Sequence, residues 1–232
     1  MTDPHDLFPT GFFARADELA DDQFYRPDRF VTHIDDRAIA AVGTLYRHLG
    51  LTGSVLDVMS SWVSHFFDRP DELVVLGMNG RELGANTMAH TTVVHDLNVD
   101  PVMPFPDDRF DAITCCVSID YLVQPIAVLR DAARVVRPGG VVVCTFSNRC
   151  FPTKVVQGWL RLDDEARVAV VAEYFRLTNA GTRSCRTAGA WLLSIGGAAR
   201  RSGFHRSRSR LLHRWLRQRP DRDTHHHRWR RV

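Results

Sequence analysis

Two short apolar runs, Phe110–Cys116 and Val141–Phe146, constrain the fold more than any other feature of the chain. Each is introduced by turn chemistry. Pro106-Asp107-Asp108 breaks the chain before the first, and Pro138-Gly139-Gly140 precedes the second. Between them Ile126, Leu129, Ala133 and Val136 recur at helical spacing. Strand, crossover helix, strand is the unit of a parallel sheet, and its connection is right-handed. Three further apolar runs lie upstream: Ser54–Val58, Leu73–Gly77 and Thr92–His95. The pattern predicts an α/β doubly wound, mostly parallel sheet in the order 3-2-1-4-5, with helices on both faces and ligands at the carboxyl ends of its strands.

Helical patterns flank these strands. Ile34–Leu49 places Ile39, Val42, Leu45, Tyr46 and Leu49 on one side, Asp35 or Asp36 can cap it, and Gly50 ends it. Asp163–Arg176 reads as a second helix, with Val168, Val171, Ala172 and Phe175 on its inner face. At 232 residues and 44% apolar content, the chain can build one α/β domain with a full core. No apolar run reaches the length of a membrane span, and the acidic stretch Met1–Asp6 does not read as a signal peptide. The five cysteines, Cys115, Cys116, Cys144, Cys150 and Cys185, include no C-x-x-C pair. The pattern supports neither a metal site nor a redox motif, and points to a reduced, cytoplasmic location.

The wording of the central unit carries a resemblance. "MPFPDDRFD" followed by "LRDAARVVRPGGVVV" resembles the second half of a class I S-adenosylmethionine-dependent methyltransferase of the type 11 kind. In that family an "LPFPDxSFD" turn leads strand four and an "R-x-LKPGG" turn leads strand five. The resemblance covers roughly residues 50–176 and implies a Rossmann-like fold, S-adenosyl-L-methionine as cofactor, and methyl transfer.

Position by position, the resemblance assigns a cofactor site. At the end of strand one the family has "hLDhGxGxG"; here Asp57 is in place, but Val58-Met59-Ser60-Ser61-Trp62 has lost every glycine. Those glycines let backbone approach the cofactor at a helix N-terminus. Ser60 and Ser61 are small and offer hydroxyls in their stead. The ribose acid after strand two is replaced by Asn79, which also reads as a turn asparagine before Gly80. After strand three Asp96 takes the place near the adenine amine, with Leu97 against the ring. After strand four Ser118 faces the methionine end. Any of these residues can alternatively serve as a loop cap. For the methyl acceptor two segments supply polar groups: Ser147–Lys154 beyond strand five, with Asn148 and Arg149, and Tyr25–Asp35, which can fold over the same crevice as part of an N-terminal cap; His33 and His65 are the candidate bases.

The charge is uneven. Residues 183–232 hold fourteen arginines and two acids, a balance of +12, so the net +3 leaves −9 on residues 1–182. The closing antiparallel hairpin of the family sheet should fall in that basic stretch, where no alternating apolar face is visible. Three explanations compete: a basic arm for nucleic acid, an inert disordered tail, or out-of-frame translation of a GC-rich gene. The last is preferred slightly over disorder, and both over nucleic-acid binding. The expected organisation is a helical cap over 1–50, a methyltransferase domain over 51–182 and an aberrant or disordered tail over 183–232. With the hairpin missing, one edge of strand five is expected to lie open, unless Ala190–Ile195 docks there. The reading is an enzyme that methylates a small molecule. Its alternatives are a non-catalytic or degenerate S-adenosylmethionine-binding protein, and a basic-tailed nucleic-acid-binding protein.

Overall fold

A computed structural model describes residues 4–178, 191–194 and 200–201. Its sheet is built from β1 (Ser54–Val58), β2 (Glu72–Gly77), β3 (Thr91–Val94), β4 (Phe110–Cys116), β5 (Val136–Phe146), β6 (Trp191–Ser194) and β7 (Arg200–Arg201). The order is β3-β2-β1-β4-β5-β6-β7. The first five strands are all parallel, in the expected 3-2-1-4-5 order, with Leu56 opposite Val74 on one side and Ile113 on the other. The helices are α1 (Asp21–Tyr25), α2 (Asp36–His48), α3 (Gly80–Gly84), α4 (Pro125–Val135), α5 (Gln157–Leu160) and α6 (Asp164–Leu177).

Alternation along the strands divides the core into two layers. Leu56, Val74, Ile113, Val142 and Cys144 face α4, α6 and the aromatic side chains of Phe8 and Phe12. Val55, Leu73, Val75, Ala112 and Val143 face α2, through Ala38, Val42, Leu45 and Tyr46. Helix α2 starts where its sequence says. Asp35 is the N-cap, and its carboxylate accepts from the Ala38 amide at 3.0 Å. Asp163 caps α6 in the same way at 2.9 Å from Ala166 N.

The structure corrects several details. Helix α4 ends at Val135, so Val136 belongs to β5 and the buried face is Ile126, Leu129, Ala132 and Val135. On α6 the buried apolar residues are Val170, Val171, Tyr174 and Leu177, because the helix packs on α4 and the Phe8 cluster together. The β5 edge is not open: Val143 to Phe146 pair in parallel with Trp191 to Ser194, and β7 pairs antiparallel with β6. The segment considered as a possible substitute supplies the covering strand, so the sheet is not left with an exposed valine edge there. The remainder of the arginine-rich stretch lies outside the described residues.

A further difference is at the heart of the site. The connection from β1 to β2, residues 59–71, contains no helix. The helix whose N-terminus the resemblance implies after β1 is absent, and the segment instead crosses the end of β2. Ser60 N donates to Leu76 O at 2.8 Å. Gly77 makes this crossing possible, since a Cβ there would lie 2.2 Å from Ser60 O.

Candidate functional site

A cavity of about 230 Å³ opens at the carboxyl ends of β1, β2, β3 and β4, where the sheet order reverses direction. Ten of the eleven residues singled out from sequence line it: Asp57, Ser60, Ser61, Asn79, Asp96, Leu97, Ser118, His33, His65 and Arg149. Asn148 does not; it is exposed beside them.

Backbone strain clusters here. Met59, the residue after β1, has φ 54° and Val117, the residue after β4, has φ 48°, and both line the cavity. A β-branched residue in the left-handed region is costly, on the order of 1–3 kcal/mol. Such strain persists where surrounding contacts over-determine the backbone. For Val117 one of these is its amide, which donates to Thr145 O at 2.8 Å.

Asp57 is buried and organises the floor. Its Oδ1 accepts from Thr114 Oγ1 at 2.7 Å, and its Oδ2 from Ser60 Oγ at 2.7 Å and Ser64 Oγ at 2.8 Å. Burial pushes its pKa up, and the three hydroxyls hold it back. The hydroxyl of Ser60 therefore points at Asp57, while that of Ser61 points at Glu82. The amides of Ser61, Trp62 and Val63 donate to no acceptor among the described residues. Three free N–H groups at the cavity wall supply anion-binding capacity that a helix N-terminus supplies elsewhere.

Asn79 caps α3. Its Oδ1 accepts from Arg81 N at 2.9 Å and Glu82 N at 3.2 Å, so the turn-asparagine alternative describes its local role. Asp96, which lines the cavity, accepts from Asn98 N and Val99 N through Oδ1, and its Oδ2 takes no hydrogen bond among the described residues. Leu97 is buried beside it. Ser118 donates to Cys116 O at 2.9 Å. Desolvation lowers the pKa of both His65 and His33, so each imidazole is neutral near pH 7.

The stretch Tyr25–Asp35 folds over the crevice as the sequence suggested, and Asp21, just ahead of it, is a wall residue that sequence reading missed. Asp21, Tyr25, Arg29, Val31 and Ile34 form the outer wall. They are held there by a buried charge network. Lys154 reaches Leu19 O at 2.6 Å, Asp21 Oδ1 at 3.1 Å and Asp17 Oδ2 at 3.3 Å. Arg15 adds a bidentate pair to Asp21 at 2.7 and 2.8 Å, and Asn98 donates to Asp21 Oδ2 at 2.8 Å. Burial raises the Asp21 pKa, but the hydrogen bonds from Asn98, Arg15 and Lys154 outweigh it, and the net shift is downward. Glu82 was also missed, although Asn79-x-x-Glu82 has the spacing of a capping box.

Residues 78–144 match the family model described as a methyltransferase domain. A demethylmenaquinone methyltransferase of Mycobacterium sp. (strain KMS) is 47% identical over 55 residues, 22% of this chain and 24% of that protein. One from Clavibacter sepedonicus is 36% identical over 73 residues, 31% of this chain and 30% of that protein. The chain thus spans about a quarter to a third of the length of these curated relatives. Among solved structures, a putative methyltransferase from Bacillus halodurans aligns over 44% of this chain and 49% of its own, at 21% identity and a TM-score of 0.37. The described strands form a Rossmann-like, doubly wound sheet, and residues 78–144 match a methyltransferase domain.

Proposed function

We propose that the protein is an S-adenosylmethionine-dependent methyltransferase acting on a small molecule. The observation that carries this reading is the cavity at the switch point of the sheet, adjoining the family-matched stretch and walled by free hydrogen-bonding groups of the right kinds. Asp96 keeps one carboxylate oxygen for an exocyclic amine, and Leu97 supplies an apolar wall for a ring. The amides of Ser61, Trp62 and Val63 suit a carboxylate. This donor set fits the cofactor. Bound S-adenosylmethionine supplies a methyl group activated on sulfonium sulfur.

The chain's own residues orient the acceptor and exclude water. His33 and His65, neutral at pH 7, are placed to take a proton from an oxygen or nitrogen acceptor. Arg149, exposed at the mouth, suits an anionic group on that acceptor. The curated relatives are named for demethylmenaquinone, which supports a small molecule rather than a macromolecule as acceptor. The cavity is smaller than the roughly 300–1,000 Å³ usual for ligand sites.

A second reading is favoured by one observation. The β1–β2 connection lacks both glycines and a helix, which suits a protein that binds the cofactor without transferring its methyl group. Isothermal titration with S-adenosylmethionine and S-adenosylhomocysteine tests the first requirement of both. Absence of heat with either ligand at high protein concentration rejects the enzyme. Binding without turnover across a panel of phenolic, amine and quinol acceptors favours the second reading.

A further inference from the structure

Counting hydrogen-bond capacity at the end of β2 separates two residues that the resemblance does not distinguish. An amide side chain has two acceptor sites and two donors. On Asn79 both acceptor sites are filled by Arg81 N and Glu82 N. Its two N–H groups are shared among Tyr25 O at 3.1 Å, Arg26 O at 3.3 Å, Asp28 Oδ1 at 3.0 Å and Glu82 Oε1 at 3.4 Å. Asn79 is saturated. It clasps the N-terminal segment to α3 and has nothing left for a ligand.

Glu82 is different. A carboxylate has about four acceptor sites. Oε1 takes Arg29 N at 2.7 Å and the long contact from Asn79, and Oε2 takes only the Ser61 hydroxyl. One site on Oε2 remains open on a side chain that is 8% exposed and lines the cavity. The Ser61 hydroxyl can rotate to another acceptor and release a second. A buried carboxylate with spare capacity forms charge-assisted bonds with hydroxyl groups, stronger than any an amide makes.

We propose that Glu82, and not Asn79, is the acid that receives the ribose hydroxyls of the nucleoside ligand. This rests on the cofactor reading above. The acid has moved one helical turn along the chain, to the third position of α3, while the position at the strand end has become structural. The exchange also ties ligand binding to the N-terminal wall, because the same carboxylate holds the Arg29 amide.

The test is a titration of S-adenosylhomocysteine, and of its analogue lacking both ribose hydroxyls, into wild type, Glu82→Gln and Glu82→Asp. For Glu82→Gln we expect a loss of about ten- to a hundredfold in affinity for S-adenosylhomocysteine, the scale of one hydrogen bond to a charged group. We expect no comparable loss with the analogue. Glu82→Asp keeps the charge and should show a smaller penalty, again confined to the ligand with hydroxyls; it carries the test if the glutamine variant does not fold. Equal losses on both ligands, or no loss on either, overturn the assignment while leaving the cofactor reading intact. Failure of wild type to bind either ligand removes the cofactor reading and this inference with it.

Discussion

Replacing Asp120 with asparagine should stabilise the protein above neutral pH and do little in acid. Asp120 lies in the turn Ile119–Tyr121 between β4 and α4 and is 3% exposed. Its Oδ2 has no hydrogen-bond partner. Burial pushes its pKa from 3.8 up to about 7, against the weaker pull of the Arg167 guanidinium. A raised carboxyl pKa means that the folded state binds the proton more tightly than the unfolded state. Stability is therefore full below the unfolded value near 3.8, and is lost as pH rises through about 7. The shift of about three units, at about 1.4 kcal/mol each, sets a ceiling of about 4 kcal/mol on the cost of the ionised form. An asparagine at this position would have no proton to lose. The assay is urea denaturation of wild type and Asp120→Asn from about pH 5 to pH 9, read as the difference between the two. That difference cancels the histidines, whose depressed pKa values remove stability in acid from both proteins alike. It should shift in favour of asparagine by about 3 kcal/mol from the acid to the alkaline end, with the change complete just above pH 7. Two parallel curves would refute the reasoning, by showing that Asp120 gains or loses no proton in this interval in the folded state.

Gly77→Ala should cost about 1–3 kcal/mol or more and lower the melting temperature, because its Cβ would meet the Ser60 carbonyl at 2.2 Å and push the cavity floor off β2. Lys154→Met should cost about 3–5 kcal/mol, leaving the part-buried Asp17 and Asp21 carboxylates short of a cation, and limited proteolysis should show cleavage within residues 15–34 before the sheet unfolds. Asp35→Ala should cost about 1 kcal/mol in denaturant titration through loss of the α2 cap, with no change in ligand affinity.

The sheet was legible because each strand carries its own local signals. Ser54–Val58 and Phe110–Cys116 are bounded by turn residues and made of β-forming side chains, and the structure reproduces their limits. The helix faces were less so. On α4 the choice between Ala132 and Ala133 depends on how the last turn meets β5, which spacing alone does not contain. The candidates at strand ends line one cavity because topology puts every such end on one side of the sheet. The polar stretch Tyr25–Asp35 was legible as a cover for that crevice, but Asp21 was not, because it is held by a lysine more than a hundred positions away. Nor does any residue pattern announce that the β1–β2 connection has no helix. Lost glycines are compatible with a helix opened by serine, and only the close approach of Ser60 O to Gly77 shows where the chain goes instead.

The long reach from the N-terminal segment to Lys154 has a consequence during synthesis. The bond from Lys154 to Leu19 O joins residues 135 positions apart. At about 5–20 residues per second, the segment waits roughly 7–27 s after emerging before its anchoring lysine exists. Throughout that interval Phe8 and Phe13, which later pack with Tyr174, have no native partner on α6. Nascent chains of this protein should therefore present an aromatic handle to chaperones until α6 has emerged, and the pocket's outer wall cannot assemble before Lys154 does.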